Sequence, residues 1–117
     1  MTKKTTALDI LTAAYAIVID PAKWTQGSRA RDKAGNNVCT FDKAAVCFCT
    51  VGAIEKVAGP RNSMDRAHAD ARGYLSRVAN AEFYRSPISV NDEIGHDFTL
   101  LMFEKAIELA KEEAARV

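Results

Sequence analysis

Residues 42–59 read Asp42-Lys43-Ala44-Ala45-Val46-Cys47-Phe48-Cys49-Thr50-Val51-Gly52-Ala53-Ile54-Glu55-Lys56-Val57-Ala58-Gly59. Between residues 44 and 54 no side chain is charged and Thr50 alone carries a hydroxyl. A helix built from this segment has no polar face to turn to water, so it has to run through the interior of the domain. Gly59-Pro60 is its stop, because glycine accepts the left-handed residue that closes a helix and proline cannot extend one. Thr40 or Asp42 is the expected N-cap, the carboxylate being favoured by the helix dipole as well. The stretch describes a core and names no activity.

Toward the N-terminus, Thr6-Ala7-Leu8-Asp9 has the form of a capping box and opens a helix to about residue 19. Leu8, Leu11, Tyr15 and Val18 follow helical spacing, Ile10, Ala14 and Ile17 widen the same face, and Asp20-Pro21 ends it. Residues 24–31 and 38–41 read as short extended runs around Asp32-Lys33-Ala34-Gly35-Asn36-Asn37, a reversal whose Gly and Asn residues suit positive φ; this predicts a hairpin.

Toward the C-terminus, Arg61-Asn62-Ser63 is a loop whose Asn62 or Ser63 caps a third helix over residues 64–81. Met64, His68, Ala71, Leu75 and Val78 lie along its apolar line, and Gly73 within it suggests close approach to another backbone. Ser86-Pro87-Ile88-Ser89-Val90 reads as extended, Asn91-Asp92 with Gly95 as a turn. Asp97 is the expected cap of a last helix, residues 98–115, buried along Leu100, Phe103, Ile107, Ala110 and Ala114. The fold expected over residues 1–117 is a single α+β domain, mostly α, with about four helices around a buried central helix and one small β-hairpin.

With 117 residues, 48% hydrophobic and 26% charged, the chain can close one hydrophobic core without disulfides or a structural metal. A formal charge of +1 gives no net field to draw in a polyanion, so any nucleic-acid site has to be a local patch. Three cysteines are an odd number for a secreted disulfide framework and fit a reduced, cytoplasmic setting. Lys3-Lys4 before an apolar run imitates a signal peptide, but Asp9 interrupts the run; no stretch approaches the ~20 apolar residues of a membrane span.

Cys47 and Cys49, with Cys39 and a histidine, have the composition of a zinc site. Residues two apart on a helix diverge, however, so these are read as core thiols, and neither metal nor cofactor is expected. Cys49 with His96 and Asn91 has the composition of a thiol-enzyme triad, and Asp92 is a second candidate catalytic group. An apolar surround raises a thiol pKa and excludes substrate, which argues against the triad. His68 is read as a histidine at the edge of the core, and His96 as a loop residue.

Trp24, Gln26, Arg29 and Arg31, with Lys23 and Lys33, interleave an aromatic, an amide and cations. Such a ribbon can grip phosphate and stack a base, or it can be a hairpin whose tryptophan caps the core while its charges keep an edge soluble. Asn91 and Asp92 are binding candidates too; the competing reading is a turn closed by its own side chains, and proximity of the pair to Gln26 and Arg31 would favour a ligand role.

Three blocks carry a resemblance: Trp24-Thr25-Gln26-Gly27 running on to Ala30-Arg31-Asp32 and Gly35; Ala45-Val46 with Cys49, Gly52, Ala53 and Ile54; and Ile88, Asn91-Asp92 and Gly95. In these the chain resembles an uncharacterised family of small bacterial and bacteriophage proteins. That family often has tryptophan where Phe48 stands and arginine-threonine where His96-Asp97 stands, which weakens a role for those positions. The resemblance implies a shared fold and a bacterial or phage setting, and no activity.

The function expected is therefore that of a small accessory binding protein. Its partner is expected to be a protein, met by Trp24, Gln26, Arg29 and Arg31, with a phage or mobile-element modulator of a host system as one form. The alternatives are an enzyme using Cys49 with His96 and Asn91, and a nucleic-acid module using the basic hairpin.

Overall fold

The computed structural model describes residues 5–59 and 66–116. The expected Pro60 stop, the Arg61-Asn62-Ser63 loop with its cap, and Met64 lie outside the described residues. Helix α1 spans Ala7–Val18 and opens on the expected capping box: Thr6 Oγ1 accepts from Asp9 N at 3.1 Å and Asp9 Oδ2 accepts from Thr6 N at 3.0 Å. It buries Ile10, Leu11, Ala14 and Val18, and Asp20 caps a 3-10 turn, Pro21–Lys23, just beyond it.

The uncharged run divides in two. Strand β1, Ala30–Arg31, pairs antiparallel with β2, Cys47–Phe48, in the register Ala30 to Phe48 and Arg31 to Cys47. Helix α2 follows as Thr50–Ala58. The expected helical start near residue 44 is corrected, as is its cap. Asp42 accepts from Ala44 N within a turn, whereas the N-cap of α2 is Cys49, whose Sγ accepts from Gly52 N at 3.4 Å. A continuous apolar run does not distinguish a buried strand from a buried helix, and the Val46-Cys47-Phe48 part suits a pleated surface.

The expected reversal at residues 32–37 is present, with an Arg31–Asn37 bridge, Asp32 accepting from Ala34 N and Asn36 N, and Gly35 at φ 89°. Residues 38–41 form no strand; β2 takes their place beside β1.

Helix α3, Arg66–Val78, buries His68, Ala71, Leu75 and Val78 and passes into a π-helical turn, Ala79–Phe83. The segment expected to be extended is instead a one-turn helix α4, Pro87–Ser89, followed by a second π-turn, Val90–Ile94. Proline is tolerated in a helix's first turn, where its missing N–H would have had no partner, and Ser86 Oγ caps Ser89 N at 3.1 Å.

Helix α5, His96–Ala115, starts beyond Gly95 without a side-chain cap, so Asp97 lies in the first turn rather than ahead of it. Its buried stripe is Thr99, Met102, Phe103, Ala106 and Ala110, one position round from the expected line. Thr99 tolerates the core because its hydroxyl donates to Gly95 O at 2.9 Å. Helix α1 packs against α2, α3 and α5, and α2 against α3 and α4, with residues 50–54 of α2 wholly buried. Among the described residues no helix is long and apolar enough to cross a membrane.

Candidate functional site

The π-turn Val90–Ile94 carries Asn91 into the interior, where it is 1% exposed. Its Oδ1 accepts the indole N–H of Trp24 at 2.8 Å, the backbone N–H of Thr50 at 3.0 Å and the Thr50 hydroxyl at 2.9 Å. Its Nδ2 donates to Thr25 O at 3.0 Å and Asp92 Oδ1 at 2.9 Å. An indole and a backbone amide can only donate, so the amide orientation follows from its neighbours. Asn91 thereby satisfies one of the unpaired amides at the start of α2, from a segment far along the chain.

The ribbon is bound into the same network. Gln26 Nε2 donates to Asn91 O at 3.0 Å and Asp92 O at 3.3 Å, and Gly27 N donates to Asp92 Oδ1 at 3.1 Å. Arg31 reaches Thr25 Oγ1, Gly35 O, Asn37 Oδ1 and Gln26 O, which holds the loop around it in shape. The Asn91-Asp92 pair thus lies beside Gln26, with Arg31 joined through Gln26 O, and its side-chain groups are bonded to Trp24, Thr25, Thr50 and Gly27 within the protein, so this proximity comes from a structural network. Arg29 points outward, with its side chain 61% exposed and 2.6 Å from Glu55.

Cys49 is buried, and burial pushes its thiol up from the ordinary range. It lines a cavity of about 190 Å³ with Arg29, Val51, Ile88 and Asp92. His96 is elsewhere engaged: Nε2 meets Val18 O at 2.6 Å and the ring lies 4.8 Å from that of Trp24. Since a carbonyl only accepts, Nε2 carries the proton. No hydrogen bond joins Cys49 to His96 or Asn91. The three cysteines are free thiols, and among the described residues no three His, Cys, Asp or Glu side chains converge as metal ligands.

A second cluster escaped the sequence reading. Tyr84 closes the first π-turn in the left-handed conformation, φ 57° and ψ 35°, and is 89% exposed. Beside it Phe83 meets Phe98 edge to face, centroids 5.8 Å apart, and Leu101 follows Phe98 one turn along α5. Phe98 and Leu101 remain 47% and 37% exposed. The edge of this face carries Glu82 paired with Lys105 at 3.3 Å, and Arg85 paired with Glu93. Phe83-Tyr84 next to Glu82 and Arg85 was a visible signal in the sequence, an aromatic pair inside a charged stretch.

A family model described as a family of unknown function, DUF6197, matches residues 2–109. No curated protein and no solved structure matches the chain.

Proposed function

The chain belongs to DUF6197, a family of unknown function, and from that premise we propose that it is a small accessory protein that works by binding another protein through Phe83, Tyr84, Phe98 and Leu101. One observation carries this reading: a tyrosine occupies a left-handed position that favours glycine, and its ring is almost wholly in water. Neither packing nor backbone preference accounts for it, whereas a contact surface does.

An apolar centre edged by ion pairs of both signs complements a protein surface of the same make-up. A polyanion would call for an excess of cations there. Trp24, Gln26, Arg31, Asn91 and Asp92 serve this reading as the frame that holds the turns in place, and Arg29 is the ribbon residue left outward. The setting that suits three free thiols is the reducing cytoplasm. A phage or mobile-element modulator of a host system is one form of the reading, drawn from the resemblance.

The test is photo-crosslinking in the host cell from a photoreactive residue at Leu101. A discrete protein adduct is expected, lost with Phe98→Glu and kept with Lys33→Ala. An adduct unchanged by Phe98→Glu, an adduct of twice the chain's own mass, or one removed by nuclease would overturn the proposal.

A further inference from the structure

Between α2, α3 and α4 lies a cavity of about 220 Å³, in liquid terms roughly the room of seven waters. Its apolar lining comes from Val51, Ile54 and Leu75, with Pro87 and Ile88 on the α4 side. Its polar lining includes Arg72, Ser76 and Ser86, and no carboxylate is among the described residues that line it. Arg72 makes no hydrogen bond or ion pair among the described residues, whereas Arg29, Arg31, Arg77 and Arg85 are all bonded. Ser86 Oγ accepts from Ser89 N, which leaves its hydroxyl hydrogen able to donate.

We propose that this cavity binds a small carboxylate with a short apolar body, its carboxylate on the Arg72 guanidinium and its body against Val51, Ile54 and Leu75. The sign follows from the rim: among its described residues a guanidinium and two hydroxyls offer donors, and none carries a negative charge. The single charge follows from the count, since one arginine over an apolar floor leaves a phosphate dianion half neutralised. The start of α2 does not supply a second anion site, because Thr50 N is taken by Asn91 and Gly52 N by Cys49. The proposal stands apart from the aromatic face and does not depend on it.

The test titrates the ¹⁵N-labelled protein with 4-methylpentanoate, with its neutral amide 4-methylpentanamide, and with inorganic phosphate. Saturable shifts are expected at Val51, Leu75 and Ile88 with the carboxylate, the amide binding about tenfold more weakly and phosphate not at all. Arg72→Gln, an exposed change that leaves the core intact, is expected to bring the carboxylate down to the level of the amide and leave the amide unaffected. Absence of saturable shifts at those residues, equal affinity for acid and amide, or phosphate binding as tightly as the acid would overturn the assignment.

Discussion

The indole N–H of Trp24 and the side-chain oxygen of Asn91 meet at 2.8 Å although 67 residues separate them in the chain. The same oxygen holds the first amide of α2 through Thr50. Segments that share no local structure therefore depend on one side chain for their mutual position.

Asn91→Ala is expected to destabilise the domain by about 2–4 kcal/mol, since it leaves the Trp24 and Thr50 donors and the Thr25 carbonyl without their partner in the interior. Asn80→Ala, on the exposed side of the first π-turn, is expected to stay within about 0.5 kcal/mol of the parent. Urea unfolding of both measures the difference. Equal midpoints would show that Asn91 is not the structural centre described.

Two helical glycines should behave in opposite ways. A Cβ on Gly52 would sit 2.0 Å from the carbonyl oxygen of Arg29, a backbone atom that cannot swing aside, so Gly52→Ala is expected to cost several kcal/mol. A Cβ on Gly73 meets no described atom within 4 Å, so the expected close approach is not at that position and Gly73→Ala is expected to stabilise by roughly 0.5–1 kcal/mol. Thermal melts of the two variants decide it, and a destabilised Gly73→Ala would contradict the packing of α3.

Thiol labelling at neutral pH should proceed in the order Cys39, Cys47, Cys49, following their exposure, with Cys49 modified only as the protein unfolds. Burial raises the Cys49 pKa above the unfolded value of 9.0, so the native state keeps its proton over a window in which the unfolded chain has lost it. Stability is complete below that value and falls as pH rises through the window. Tyr15, hydrogen-bonded to Glu104, and the partly desolvated Tyr74 act in the same direction above 10.0. Cys49→Ser should flatten the first part of the fall; an unchanged alkaline profile would remove Cys49 as its cause.

Tyr84→Gly is expected to stabilise the isolated protein by up to about 1 kcal/mol, because glycine adopts φ 57° without a Cβ conflict. The same substitution should weaken the crosslink to a partner. Chemical denaturation alongside crosslinking yield separates the two effects, and a Tyr84→Gly protein that is less stable would show the tyrosine ring to be a packing element.

Local signals in the sequence were sufficient for α1, where Thr6, Asp9 and Asp20 mark both ends, and for the Ala71, Leu75 and Val78 line of α3. They failed where periodicity is degenerate. The run from Ala44 to Ile54 contains a strand and a helix with no charged residue and only the Thr50 hydroxyl near their junction, and the last helix offers two apolar stripes one position apart, of which the one containing Thr99 is buried. At the site, Trp24, Gln26, Asn91 and Asp92 stood out by residue type, yet spacing along a chain cannot show that such residues bond one another. The aromatic face was hidden for a related reason, since it depends on the rotation of α5 and on a left-handed residue at 84.

Because the chain is made from its N-terminus, Trp24 and Thr50 leave the ribosome well before Asn91 does. A nascent molecule stopped short of residue 91 carries a complete α1, a hairpin and the sequence of α2, but an indole and a helix start that water must solvate in place of the missing amide. Closure of the domain is in this sense a late event of synthesis, and half-made chains should be substrates for chaperones and proteases until that asparagine emerges.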